Sequence, residues 1–237
     1  MRIRNKALIF LCKKIENILF PTCCLICGKL TKEILCNKCK KEIYEKEIFK
    51  IEINNDKEKY FDKHIYIFKY KDRIRNLILD YKFNEKSYLF EIFSKIIIKN
   101  EKICGILKKY DIIIPVPIHK KRKSERGYNQ SELIASKISS EMSNLKLENK
   151  IVEKIKNTLP QSSLTKKQRK ENVQNVYKII NKEKIINKNI IILDDIYTTG
   201  STVNAISKLL KENGAKKITI LTIAKDLKEG GKNGRFS

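Results

Sequence analysis

The chain has 237 residues, 41% of them hydrophobic, which is enough for one sizeable α/β core with room for a small appendage. Its 52 Lys and Arg against 27 Asp and Glu give a net charge of +25, which points to anionic partners such as phosphate ligands or nucleic acid. Ile, Asn and Lys are abundant throughout, however, so most individual lysines read as solvated surface. The composition offers no signal peptide and no spanning helix: the short apolar run Ala7 to Cys12 is interrupted by Lys13 and Lys14, and no small-residue cleavage site follows. No membrane insertion is expected, and the protein is expected in the cytoplasm.

In chain order, residues 1–19 read as an N-terminal amphipathic helix. Seven cysteines follow an intracellular pattern, clustered near the start rather than spread as a disulfide framework. Cys24-Leu-Ile-Cys27 and Cys36-Asn-Lys-Cys39 form two C-x-x-C knuckles around a short stretch carrying Gly28. Four thiolates at this spacing can close a tetrahedral Zn²⁺ site with no open position, so the metal would be structural. Cys23 is a substitute ligand, whereas Cys12 and Cys104 read as small buried hydrophobes. A redox dithiol pair is the competing reading, but the thioredoxin-like βαβ setting is missing. A zinc ribbon over residues 20–42 is expected, too small to hold itself together without the metal.

A phosphate-handling α/β domain is expected over residues 60–226. Ile112-Ile113-Ile114 reads as a buried strand that exits through Pro115-Val-Pro117 into His119 and the basic residues Lys120, Lys121, Arg122, Lys123 and Arg126. Such a loop at a strand exit can neutralise a pyrophosphate, Arg by bidentate bonding and Lys as a point charge. Gly127 would turn the chain before a helix that begins near Ser131. Gln161 to Val173 carries hydroxyls and alternating charges without an apolar face; Lys166, Lys167 and Arg169 there would act as a flexible lid over bound polyphosphate, with a solvated surface as the alternative.

The most informative stretch is Ile190-Ile-Ile-Leu-Asp-Asp-Ile-Tyr-Thr-Thr-Gly-Ser-Thr202. An apolar run with the length and β-branching of a central strand ends in Asp194 and Asp195, at the edge where open parallel sheets bind ligands. Thr198, Thr199, Gly200, Ser201 and Thr202 then supply small side chains, hydroxyls and amides just before a helix, where orphan N–H groups favour a phosphate. Val203, Ile206, Leu209 and Leu210 mark that helix, Gly214 its cap, and Ile218 to Ala224 a following strand, completing a βαβ unit. Residues 227–237 read as a disordered tail.

This stretch resembles the phosphoribosyl pyrophosphate (PRPP) motif of the type I phosphoribosyltransferases. With Pro115-Val-Pro-Ile-His119, Arg126-Gly-Tyr-Asn-Gln130, the Gln161–Val173 segment and the preceding cysteine pairs, the chain from about Leu19 to Ala224 resembles the ComF family of competence-associated proteins. The resemblance implies a type I phosphoribosyltransferase fold, a central mostly parallel sheet flanked by helices, behind the zinc ribbon. By the same resemblance Asp194 and Asp195 would bind the ribose hydroxyls, Thr198 to Thr202 the 5′-phosphate, and Lys82 the ligand. Mg²⁺ would be held mainly by the ligand's phosphates with help from one of the two acids. PRPP and single-stranded DNA are the implied partners, with other competence proteins beside them, in natural transformation. No general base is evident: Thr198 stands where some nucleobase-using members carry an acid, and His119 is the only imidazole near the motif. Three functions stay open: a PRPP-dependent transferase, for example in nucleobase salvage, a PRPP-binding protein without turnover in DNA uptake, and a nucleic-acid module with a vestigial site. Tyr81, Phe83 and Tyr128 read as core rather than as a base-stacking platform.

Overall fold

A computed structural model describes residues 22–156 and 176–227, and the chain divides into two compact units, Met1–Glu47 and Ile48–Ser237. The expected N-terminal helix, the lid residues Lys166, Lys167 and Arg169, and the tail beyond Leu227 lie outside the described residues. No helix among the described residues is long and apolar enough to cross a membrane.

In the first unit, Cys23 bridges Leu30, and the amide of Gly28, whose φ of 73° needs a glycine, donates to the Cys24 carbonyl at 2.9 Å. Helix α1 (Asn37–Tyr44) then begins directly after Cys36. Among the described residues of this unit the buried apolar ones are Cys24, Leu35, Cys39 and Ile43, a set too small to fold residues 22–47 by hydrophobic burial.

The second unit is built on a six-stranded sheet. Its strands are β1 (Glu47–Ile53), β2 (Lys63–Lys69), β3 (Ile112–Pro115), β4 (Lys146–Leu147), β7 (Asn189–Tyr197) and β8 (Lys217–Lys225), in the order β1-β2-β8-β7-β3-β4. The pairs β2–β8, β8–β7, β7–β3 and β3–β4 are all parallel, as the βαβ reading of the sequence requires. A separate antiparallel ribbon is made by β5 (Val152–Lys154) and β6 (Tyr177–Ile179). The helices are α2 (Asp72–Phe83), α3 (Phe90–Lys99), α4 (Glu101–Leu107), α5 (Lys120–Arg126), α6 (Gln130–Glu141) and α7 (Ser201–Glu212).

Strand alternation sorts the two layers. Ile112, Ile114, Ile190, Ile192, Ile218 and Ile220 share one buried cluster with Val203, Ile206 and Leu210 of α7. The intervening Ile113, Ile191 and Leu193 are equally buried, and α6 packs against β3 and β7, with α3 against α6. Each such side chain is worth about 1.5–3 kcal/mol of burial, so the central strands are held from both faces and their carboxyl ends are fixed in register. Asn129 caps α6, its Oδ1 accepting from the Ser131 amide at 3.1 Å, and its Nδ2 donates to the Val116 carbonyl at 3.1 Å. That bond ties the α6 start to the β3 exit.

Candidate ligand site and metal centre

β3 and β7 run parallel, with Pro115 opposite Leu193, so the Pro115–Pro117 exit and the acid pair emerge at the same sheet edge. β7 continues beyond the expected Ile190–Leu193 and carries Asp194 and Asp195 within the strand. Successive strand residues point to opposite faces, yet Lys82 acts on both acids, pairing directly with Asp195. Asp195, 8% exposed, pairs through Oδ1 with Lys82 Nζ at 2.8 Å, at the end of α2. Asp194 is half-buried and accepts the Asp195 amide at 2.9 Å. Loss of solvent, then the negative charge of Asp195, pushes its carboxyl up to about 7, against the opposing pull of Lys82, the Asp195 amide and Lys154.

The basic segment 120–126 is a helix, α5, where the sequence suggested a loop. Its helical period divides the cations. Arg122 and Arg126, four residues apart, lie one turn from each other on the same side. Arg126 feels Asp195, and burial followed by the charge of Arg122 lowers its affinity for its proton. Lys120 instead pairs with Glu153 at 2.9 Å and is 87% exposed along its side chain, Lys123 pairs with Glu132 at 2.9 Å, and Lys121 is exposed. His119 caps α5, its Nδ1 accepting from the Lys121 amide at 3.3 Å, so its ring is used in holding the helix start. A second imidazole was not singled out from sequence: His64 is buried, stacked on Tyr197 at 4.1 Å, and held neutral by burial, which brings it down to about 3.

The turn 198–202 follows β7. Gly200 has φ 75° and stands at the N-cap of α7; a Cβ there would overlap the Tyr197 phenol, so both the backbone angle and the packing demand glycine. Thr199 Oγ1 lies 2.8 Å from Ser201 Oγ and accepts from the Ser201 amide at 3.4 Å, so both hydroxyls flank the first amides of the helix. Those amides and the α7 dipole suit a phosphate.

Two further residues join the site that sequence reasoning passed over. Lys154 and Tyr177 are register partners on the β5–β6 ribbon, and the Lys154 ammonium lies 6.0 Å from the Tyr177 ring centroid. Burial, followed by the charge of Arg122, lowers Lys154 to about 8, with Asp194 opposing. Burial, then Asp194, raises the Tyr177 phenol, which hydrogen-bonds the Thr202 side chain. Their signal in the sequence was only that both flank the charged segment, Lys154 before it and Tyr177 after it.

Lys82 and Arg126 are set by an aromatic clasp. Tyr81 Oη donates to the Gln130 carbonyl at 2.8 Å, Tyr128 Oη donates to the Tyr81 carbonyl at 2.5 Å, and the two rings stack at 5.9 Å. Tyr81 is fully buried and Tyr128 half-buried, whereas Phe83 is 62% exposed, contrary to the core reading of that residue. Position explains it: Phe83 is the last residue of α2 and overhangs the layer that Tyr81 fills.

In the first unit the Sγ atoms of Cys24, Cys27, Cys36 and Cys39 all lie within 4.8 Å of one another. Cys27 and Cys36 are 3.7 Å apart, and a tetrahedral zinc with ~2.3 Å Zn–S bonds needs sulfurs about 3.8 Å apart, so the four thiols fit the metal. The second knuckle is more than a ribbon turn: Cys36 is the N-cap of α1 and Cys39 lies in its first turn, where the helix dipole favours thiolate. At Cys24 burial opposes ionisation, but backbone amides of Cys36, Cys27 and Ile26 outweigh it and lower the thiol to about 6. Burial and the neighbouring thiols raise Cys39. A group of four thiols this close is able to hold a metal cation.

Comparison with known proteins agrees with this anatomy. The model for "Phosphoribosyl transferase domain" matches residues 129–233. Competence protein F of Haemophilus influenzae is 30% identical over 214 residues, covering 83% of this chain and 92% of that protein. The chain belongs to the competence protein F (ComF) family. The DNA utilization protein YhgH of Escherichia coli K12 is 28% identical over 162 residues, covering 67% of this chain and 70% of its own length. Among solved structures, a hypoxanthine phosphoribosyltransferase from Staphylococcus aureus aligns over 58% of this chain and 62% of its own, at 14% identity and a TM-score of 0.37. This ComF protein carries a phosphoribosyl transferase domain on a mostly parallel sheet flanked by helices, a cysteine cluster able to hold a metal, and relatives named for competence and DNA utilization.

Proposed function

We propose that this ComF protein binds Mg²⁺-PRPP and acts on incoming single-stranded DNA in the cytoplasm. The observation that carries the reading is the acid pair at the end of β7: Asp194 and Asp195 precede a phosphate-ready turn and are faced by Lys82, Arg126 and Lys154, with Arg122 near the last two cations. Two carboxylates suit the two hydroxyls of a ribose, the turn suits the 5′-phosphate, and the cations suit the pyrophosphate. Mg²⁺ fits the same set, because two acids of which one resists ionisation gain from a dication that brings its own phosphate ligands. Asp194 and Asp195 are the residues that would hold it; the ion would neutralise the pyrophosphate leaving group. The chain's own part is to orient the ribose from the acids and to surround the phosphates with Lys82, Arg122, Arg126 and Lys154. The names of the relatives, competence protein F and DNA utilization protein, support the DNA half of the reading.

Calorimetric titration of the zinc-loaded protein with Mg²⁺-PRPP tests it, with an Asp194→Asn/Asp195→Asn variant alongside. Binding by the wild type that the variant loses is expected. No heat from a well-folded wild type would sink the ligand assignment.

A further inference from the structure

Phe83 is an exposed aromatic at the rim of the ligand site, and its surroundings are built rather than incidental. The Arg126 guanidinium carbon stands 4.9 Å from the ring centroid, a cation–π contact. Arg126 Nη1 donates to Gln130 Oε1 at 3.1 Å, and Gln130 is itself buried, so the guanidinium is fixed from below. The residue before Phe83 is Lys82, whose ammonium is on Asp195 at 2.8 Å, and Arg126 feels the same carboxylate. Ring and guanidinium are thus in contact, and the guanidinium lies within electrostatic reach of Asp195. With 62% of the residue still exposed, most of its surface remains available.

An exposed phenyl flanked by cations is poor at protein docking, which favours a larger continuous apolar patch. It is well suited to a flat heteroaromatic ring carried on an anionic backbone. We propose that Phe83 and Arg126 form a stacking platform for a nucleobase of single-stranded DNA, next to the pocket for the ribose phosphate. This rests on the reading above and names what lies beside PRPP. The clasp made by Tyr81 and Tyr128 keeps α2 and α6 together beneath the platform, so a base would meet a preformed surface.

The test uses the full-length, zinc-loaded protein and a thymidine oligonucleotide containing one 2-aminopurine, whose fluorescence is quenched on stacking. Phe83→Leu keeps bulk and loses the aromatic face; Phe83→Trp keeps it. Phe83→Leu is expected to weaken oligonucleotide binding by about 5- to 100-fold and to relieve the quenching, with Phe83→Trp near wild type. The slope of log K against log[NaCl] stays as in wild type, because phosphate contacts are untouched. Mg²⁺-PRPP affinity, measured by calorimetry on the same variants, is unchanged. Free adenine titrated into the PRPP-loaded protein separates a free base from one on a strand: dependence of oligonucleotide binding on Phe83 supports the platform, whereas dependence of adenine binding alone overturns its assignment to a strand. Oligonucleotide binding that is absent in the wild type, or equal in Phe83→Leu and wild type, overturns the platform while leaving PRPP binding standing. Loss of PRPP affinity in Phe83→Leu also overturns it, by making the ring a support of the pocket. Failure of wild type to bind PRPP is read separately and strikes the parent reading.

Discussion

Asp194→Asn should make the protein more stable and less able to bind its ligand, with a characteristic dependence on pH. Burial and the charge of Asp195 raise the folded-state carboxyl to about 7, against an unfolded value near 4. Between those two values the folded chain holds a proton that the unfolded chain has released. Stability therefore falls as pH rises through this window, is fully present below it, and levels off above about 7. At about 1.4 kcal/mol per pH unit, the loss from pH 5 to pH 8 comes to about 2–3 kcal/mol in the wild type and vanishes in Asp194→Asn. Urea unfolding of both proteins at half-unit intervals across that range measures the difference, since carboxylates remote from Asp194 contribute alike to both curves and Asp195, whose charge acts on Asp194, is the neighbouring acid that differs between them. The gap between the curves should open with rising pH and stay constant above pH 7. Parallel curves would refute the claim that Asp194 is held above its ordinary range. Because the same carboxylate must ionise to accept ribose hydroxyls, Mg²⁺-PRPP affinity should rise across the same window.

Gly200→Ala adds a Cβ at φ 75° and against the Tyr197 phenol, and should cost about 1–3 kcal/mol in thermal or urea unfolding together with most of the PRPP affinity. Cys39→Ser should reduce bound zinc, measured by metal release into a colorimetric chelator, from one equivalent per chain to near zero. Chelation of the wild type should abolish the α1 helix signal by circular dichroism, because the four apolar residues buried among the described residues of that unit cannot hold it.

The central features were legible because they are one-dimensional. The Ile-rich run of β7 ending in two acids, and the glycine turn before an amphipathic helix, each announce themselves within a dozen residues. So do the two C-x-x-C pairs. What failed was whatever depended on distance in space or on a period hidden in charge. Seven residues from Lys120 to Arg126, mostly charged, show no apolar face, so neither the helix nor the selection of Arg122 and Arg126 over their neighbours could be seen. Lys154 meets Tyr177 across the full charged segment, a pairing that only the ribbon creates. Phe83 was misread because an apolar residue two positions after the buried Tyr81 looks like the next layer of core, when the helix in fact ends there.

The strand order also has a consequence for synthesis. β2 and β3 are both made early, yet neither touches the other in the sheet: β8 and β7 stand between them. Until residues 189–225 leave the ribosome, the nascent chain holds two half-sheets with open inner edges, a condition that favours aggregation. The cations of the site, Lys82, Arg122, Arg126 and Lys154, are likewise all translated before the acids that neutralise them. The central strands arrive last and close the sheet and the charge balance in one step, so a chain arrested shortly before Asp194 would hold two unjoined half-sheets and the cations of the site without its acids.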